Sequence, residues 1–409
     1  MKTPCNSVVK KEMQYENRFM SRLKILFILL LTVFCSVGSA QVKIRIFANQ
    51  SPESAVFSVR EGTYKLNLFK GELLSIIKND PVVITRFNGK LIVKKRNADS
   101  YICDSLIFIG ITGDDSFSLM MNGKSPVRQY YSGNLQCFPD LATLVFINIS
   151  DVEKYIAGVV KAEGGSGKSL EYFKTQAIIA RTYMYKYFDK HLADRYNVCD
   201  NTHCQAFNGL SDDTLLNKAA METRKIVILN KDSSLIISAF HSNCGGQTSS
   251  SDDVWLAGQS YLKSVLDPYC TSSRNASWQK NITLTEWIKY IRKSGYTGKA
   301  EDPSVFNFKQ ESRLTDYKAG SFSLPLTTIR SDLNLRSTFF SVFVNGDSVI
   351  LKGRGYGHGV GLCQEGAMEM ASKGFSYRDI ISFYYSGVII TDVKNAVILQ
   401  AGLQTGLRK

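Results

Sequence analysis

Residues 144–188 read LVFINISDVEKYIAGVVKAEGGSGKSLEYFKTQAIIARTYMYKYF, and within this stretch the periodicity of the chain changes. Its first six residues, LVFINI, form a strand-like apolar run. From there apolar side chains recur at Val152, Ile156 and Val159, with Tyr155 and Val160 beside them, which is the spacing of one helix face. Ser150 and Glu153 stand where a capping box would start that helix. Gly164-Gly165 stand where a helix would stop. The pattern predicts a helix over 150–163 and a second over 169–188, whose apolar face is Leu170, Phe173, Ala177, Ala180 and Met184. A helical hairpin with a glycine-rich connection therefore follows a strand.

Upstream, residues 41–141 show short alternating runs such as VKIRI at 42–46 and LIV at 91–93, broken by Asn-Gly, Gly and Asp turns. They predict a β-rich lobe. Downstream, further strands are expected at 225–229, 234–240, 339–344 and 349–352, with a Ser/Asp-rich loop at 249–253. An amphipathic stretch surrounds Trp287, and a last helical segment begins near Gln364. The fold class is α+β: a β-rich lobe at 41–141, a mixed core with the helical hairpin at 142–395, and a tail at 396–409.

Composition excludes disorder, with 44% hydrophobic and 21% charged residues. The net charge is +14. Such a surplus favours polyanionic surroundings. No basic run with interleaved aromatics marks a nucleic-acid interface. An anionic wall polymer or membrane surface suits better, and a solvated basic surface without a partner accounts for the charge equally well.

The compartment is decided at the N-terminus. Arg22 and Lys24 precede an apolar run at 25–37, which ends in Gly38-Ser39-Ala40. This is the pattern of a secretory signal peptide over 1–40, too short for the roughly 20 residues of a membrane span. No later segment is long and apolar enough for a membrane helix. Translation starting at Met20 would give the leader an ordinary length. Cys35 is a poor lipid-anchor site because bulky Phe34 precedes it. Cys103, Cys137, Cys199, Cys204, Cys244, Cys270 and Cys363 remain, an odd set that leaves a thiol unpaired or metal-bound.

Glu163 is the leading candidate for chemistry. It extends the Val152–Ile156–Val159 stripe, so it should lie against protein. It also stands at a helix C-terminus, where the dipole opposes negative charge. Both effects raise a carboxyl pKa, as a general acid requires; an ordinary frayed-end glutamate fits the same pattern. Lys174 and Arg181, seven apart on the next helix, share a face that could close over this acid and an anionic substrate. A solvated face is the plainer reading. His241 and Cys244, in the strand-to-loop stretch AFHSNCGGQT, invite a cysteine-hydrolase reading. Three apart at a strand end they can point differently, and exported cysteines are more often structural. GRGYGHGVG at 353–361 has glycine at every second position, which defeats the dinucleotide fingerprint. It suggests a backbone closely approached by something, with His358 presented on it. Cys199 and Cys204, with His203 and upstream His191, could start a tetrahedral zinc site; a Cys199–Cys204 disulfide competes on equal terms.

Taken in order, "VVKAEGG…YFKTQAIIARTYMY", "CDNTHCQAF", "AFHSNCGGQTSSSDDVW", "LRSTFF" and "GRGYGHGVGLCQEGAMEMASKG…IISFYYSG" resemble the SpoIID/LytB family over 131–387. The resemblance implies a lytic transglycosylase acting on peptidoglycan glycan strands, or a glycan-binding modifier of a wall amidase. It makes Glu163 the acid/base, needs no cofactor, and favours a structural zinc at Cys199, Cys204 and His191 or His203. Lys174 and Arg181 fall in the motif's supporting helix. His241, Ser242, Gly245, Gly246, Thr248, Tyr356, His358 and Gln364 fall in its substrate loops. The chain departs from the family at Gly164-Gly165, where Met often follows the glutamate, at Asn243-Cys244, and at Cys363, where Ser is common.

Overall fold

The computed structural model describes residues 40–69, 73–96, 99–122, 127–165, 169–255, 257–299 and 301–397. The expected leader, Cys35 and the alternative start at Met20 lie outside them, as does the tail beyond 397.

The alternating runs form strands because every second side chain is buried. In Gln41–Ile46, Val42, Ile44 and Ile46 point inward while Gln41 and Lys43 face water. Two sheets result. One has seven strands in the order Val198–Cys199, Gln41–Ile46, Thr143–Asp151, Asn134–Asp140, Leu106–Gly110, Tyr64–Asn67, Leu73–Ile76. The other has six, in the order Val127–Ser132, Ser116–Met121, Ser54–Glu61, Val82–Phe87, Lys90–Lys95, Ser100–Cys103. Aromatic rings join them: Phe57 of the second sheet stacks on Phe108 of the first at 3.8 Å, with Tyr64 edge-on. The larger sheet takes strands from both sides of residue 141. Ile44 and Arg45 pair in parallel with Val198 and Cys199.

Helix α1 (Val152–Glu163) leaves the end of strand Thr143–Asp151. Its cap corrects the expected one. Asp151, not Ser150, accepts the N–H groups of Glu153 and Lys154, and Ser150 is the last inward residue of the strand. Glu153 is thereby freed for another partner. Helix α2 (Leu170–Lys186) packs on α1 and on α3 (Thr214–Glu222). The strand expected at 234–240 is reduced to Phe240–His241, paired in parallel with Leu362–Cys363. Before it, backbone groups find other partners: Ile237 N–H donates to the Tyr261 hydroxyl, and Ile236 N–H to the Ile228 carbonyl.

The strands expected at 339–344 and 349–352 and the amphipathic stretch around Trp287 come together in a second core, a grouping the sequence did not show. Strands Ser277–Thr283, Ser348–Arg354 and Phe340–Asn345 form an antiparallel sheet. Helix α4 (Leu284–Lys293) packs over it with only Trp287 and Ile291 fully inward. Helix α5 (Leu326–Asp332) and the hairpin Asp316–Ala319/Phe322–Pro325 complete this cluster around Tyr317 and Phe306. Helices α6 (Gln364–Ser372) and α7 (Tyr377–Tyr384) return to the main core against α2. Among the described residues no helix is long and apolar enough to cross a membrane.

Candidate active site

The site begins at the C-terminus of α1. Gly164 closes the helix by donating to the Val160 carbonyl, and Gly165 turns away at φ +67°. Two side chains hold the last carbonyls: Tyr172 Oη donates to Gly164 O at 2.6 Å, and Gln364 Nε2 to Glu163 O at 2.7 Å. Gln364, placed by the sequence among substrate groups, therefore fixes the backbone of the acid. The Glu163 carboxyl is half-buried and accepts one backbone N–H, from Ala206, at 2.5 Å. Among the described residues no Lys or Arg pairs with it. Burial raises its pKa to about 7, and the Ala206 N–H opposes this only in part.

Ala206 belongs to a loop braced from below. Asp200 accepts the N–H groups of Phe47 and Ala48. His191, Cys199, His203 and Cys204 gather with their ligand atoms all within 4.8 Å of one another. Cys204 Sγ is 3.4 Å from His191 Nε2, and Cys199 Sγ is 3.6 Å from His203 Nδ1. Two sulfurs and two imidazole nitrogens at this span suit one tetrahedral zinc ion. Both histidines belong to the set.

The helix face opposite fares differently. Arg181 is wholly buried and donates to Glu153, to the Ala220 carbonyl at 3.0 Å and to the Ile226 carbonyl at 3.1 Å. No substrate can reach it, which overturns its expected binding role. Lys174 is held by Glu171 and Glu222, both at 2.8 Å, and so does not close over Glu163 either. A shared helical face is real, but it is directed at α1 and α3.

The glycine run packs on the protein's own loop. Gly355, Gly357, Gly359 and Gly361 hold φ of 78°, 116°, 85° and 72°. A side chain at Gly361 would meet the Ala239 carbonyl at 2.2 Å, and one at Gly357 the Cβ of His241 at 2.7 Å. The close approach inferred from the spacing is therefore between segments 239–249 and 355–361. His241 is buried, with Nδ1–H donating to the Val360 carbonyl at 3.1 Å. His358 Nδ1 accepts the Val360 N–H at 3.0 Å. Burial depresses both imidazoles, His358 to about 4, so both are neutral. Thr248 is buried and accepts from Val265 N–H at 2.8 Å. That position rules out contact with a ligand. Gly245 is likewise buried, against Arg354. The carbonyl of Ser242 accepts the Glu365 N–H, and Gly246 turns with φ +99° beside Thr271. Tyr356 is 47% exposed, open for contact. Cys244 is fully buried beside Asp267 and Cys270, which removes it as a peptidase nucleophile.

A cleft of about 560 Å³ opens beside this region, lined by Tyr269, Ser273, Arg274, Glu365, Met368 and Lys373 among others. Met368 approaches to 3.2 Å of a side-chain position at Gly165, two residues from Glu163. Glu365 is locked by Asn243, Ser273 and Asn275. The sequence reading missed this wall. Its only signal was a helix start at Gln364, and the facing loop at 268–274 has no periodicity to mark it.

The glutamate at the helix end and the Cys/His-braced loop fall in the part of the chain that is similar to the SpoIID family. The family profile described as Stage II sporulation protein matches residues 142–229. An uncharacterized protein of Brachyspira hyodysenteriae is 27% identical over 341 residues, covering 81% of this chain and 88% of that protein. Stage II sporulation protein D of Bacillus subtilis is 28% identical over 59% of this chain and 74% of its own. The Amidase enhancer of the same organism is 28% identical over 58% of this chain, which spans only 40% of that protein.

Proposed function

We propose that this protein is exported to the cell envelope and acts there as a lytic transglycosylase on peptide-stripped peptidoglycan glycan strands. The observation that carries the reading is Glu163: a carboxyl with no cation paired to it among the described residues, its pKa lifted to about 7 by burial, two residues from Gly165, which the cleft residue Met368 approaches. Such a group is protonated often enough at neutral pH to act as an acid and basic enough afterwards to act as a base. It would give its proton to the glycosidic oxygen as the bond from N-acetylmuramic acid C1 breaks. The resulting carboxylate would then take the proton of the muramic 6-hydroxyl as O6 closes onto C1, leaving a 1,6-anhydro end. With the nucleophile supplied by the sugar, no second catalytic carboxylate is needed, unlike in ordinary glycosidases. Tyr269 offers a ring for a sugar face, while Arg274 and Lys373 offer cations for lactyl carboxylates.

The His191/Cys199/His203/Cys204 set would hold a structural zinc that keeps the Ala206 loop in place, with no part in the reaction. Digestion of denuded strands by the wild type and by Glu163→Gln, with the ends read by mass spectrometry, tests the mechanism. Anhydro ends from the wild type alone support it, and ordinary reducing ends refute it. The name of the Amidase enhancer relative favours a second reading, a non-cutting glycan binder that stimulates an amidase. In that case neither form cleaves, and stimulation survives Glu163→Gln.

A further inference from the structure

Beneath the crossing of segments 239–249 and 355–361, four ligand-type side chains converge where solvent does not reach. Cys244, Cys270, Cys363 and Asp267 are each 0% exposed. Their ligand atoms all lie within 4.8 Å of one another. Cys244 Sγ is 3.3 Å from Cys270 Sγ and 3.2 Å from Asp267 Oδ2. One tetrahedral ion with zinc–sulfur bonds of about 2.3 Å has ligand–ligand edges of about 3.8 Å, so the span fits a single centre.

The surroundings are arranged for thiolates. Cys363 caps the N-terminus of α6, and its sulfur accepts the Gly366 N–H at 3.4 Å and the Cys244 N–H at 3.3 Å. Backbone N–H groups of Gly245 and Gly246 are directed at the Cys270 sulfur. Asp267 is oriented by the Tyr384 hydroxyl at 2.9 Å and by the Tyr269 N–H at 2.9 Å, the outer contacts that fix a ligating carboxylate. A disulfide between any two of these sulfurs would leave the third and the carboxylate crowded together without a counter-charge.

We propose that Cys244, Cys270, Cys363 and Asp267 form a second, buried metal site that binds one zinc-class ion through three thiolates and one carboxylate. Soft thiolates select zinc over calcium or magnesium. Binding displaces the protons of the three thiols and any on the carboxyl, and forms four coordinate bonds with no change of oxidation state. The ion would staple strand Phe240–His241, the 267–270 loop and the start of α6, whose Gln364 holds the Glu163 carbonyl. The role is structural and independent of whether the enzyme cuts glycan.

The test separates this site from the His191 set by removing the latter. The full-length double variant Cys199→Ser/Cys204→Ser, produced in zinc-supplemented medium, is dialysed and its zinc measured by elemental analysis. One equivalent retained per chain is expected, and its further loss in Cys199→Ser/Cys204→Ser/Asp267→Ala assigns it. Zinc-free double variant overturns the proposal. Should the variants fail to fold, the wild type decides. After denaturation in chelator without reductant, Cys244, Cys270 and Cys363 should each carry an alkyl label, and a peptide cross-linked through Cys244 and Cys270 refutes the site.

Discussion

Helix α1 carries two inward-facing glutamates, Glu153 in its first turn and Glu163 at its last residue. Glu153 is 5% exposed and is met by Arg181, itself sealed from water and also bonded to the Ile226 and Ala220 carbonyls. Among the described residues, Glu163 is met by a single backbone N–H and no cation. The first is a charge neutralised in place, joining α1 to α2 and to the strand after α3. The second is left to keep its proton. Burial is common to both, so burial alone does not make an acid catalyst. The partner decides.

The largest effect that would break this contrast is on chemistry. Glu163→Gln should lower glycan-strand cleavage by at least about 10²–10⁴-fold, the usual scale of general acid–base catalysis. The fold should survive. A decrease below tenfold in an assay of released anhydro ends would move the acid elsewhere. Next in size is the paired glutamate. Glu153→Ala strands Arg181 as a buried charge, and breaking such a pair by removing one partner costs about 3–5 kcal/mol. Against a total stability of roughly 5–15 kcal/mol, urea unfolding should register that as a large shift of midpoint. Cleavage by the fraction still folded should be near normal.

How much of this was visible beforehand depends on the range of the interaction. The hairpin, the strand before it and Glu163 as its inward-facing end could be read because helical and strand periods are local. The partner of Arg181 could not. Spacing places Arg181 on a face with Lys174, but whether that face meets water, substrate or Glu153 depends on α3 and the 226 carbonyl, some 40 residues away. The α1 cap was misread for a related reason. Ser150 and Glu153 satisfy the capping-box pattern, yet the strand continues to Asp151 and Glu153 is claimed from another helix. The glycine run was correctly read as a close approach, although the approaching group proved to be the chain itself. The buried Cys244/Cys270/Cys363/Asp267 group escaped because its members lie on three distant segments.

The third effect sharpens the contrast through pH. An unfolded glutamate titrates near 4.5 and Glu163 near 7 in the fold. The folded state therefore holds this proton more tightly. Its contribution to stability is complete below about pH 4.5, falls as pH rises toward 7, and is gone above that. The amplitude is on the order of 2–3 kcal/mol, reduced by the exposed edge of the group. Glu163→Gln should thus unfold at a higher temperature than the wild type at pH 8 and at a similar one at pH 4. Cleavage, which needs the protonated acid, should fall about tenfold per pH unit above 7. Stability curves that run parallel at both pH values would mean that Glu163 is as hydrated as any surface carboxylate.

The smallest effect concerns Lys174, which resembles Arg181 in sequence position but not in surroundings. Its ammonium lies between Glu171 and Glu222, and the side chains of those partners are 30% and 40% exposed. Both pairs are screened by water, so their loss should be slight. Lys174→Ala is expected to move the thermal midpoint by about 2 °C or less and to leave affinity for denuded glycan strands unchanged. Arg274→Ala, on the cleft wall, should weaken that affinity instead. If the two variants behaved the other way round, the glycan would have to cross the α2 face, and the assignment of the cleft beside Glu163 would fail with it.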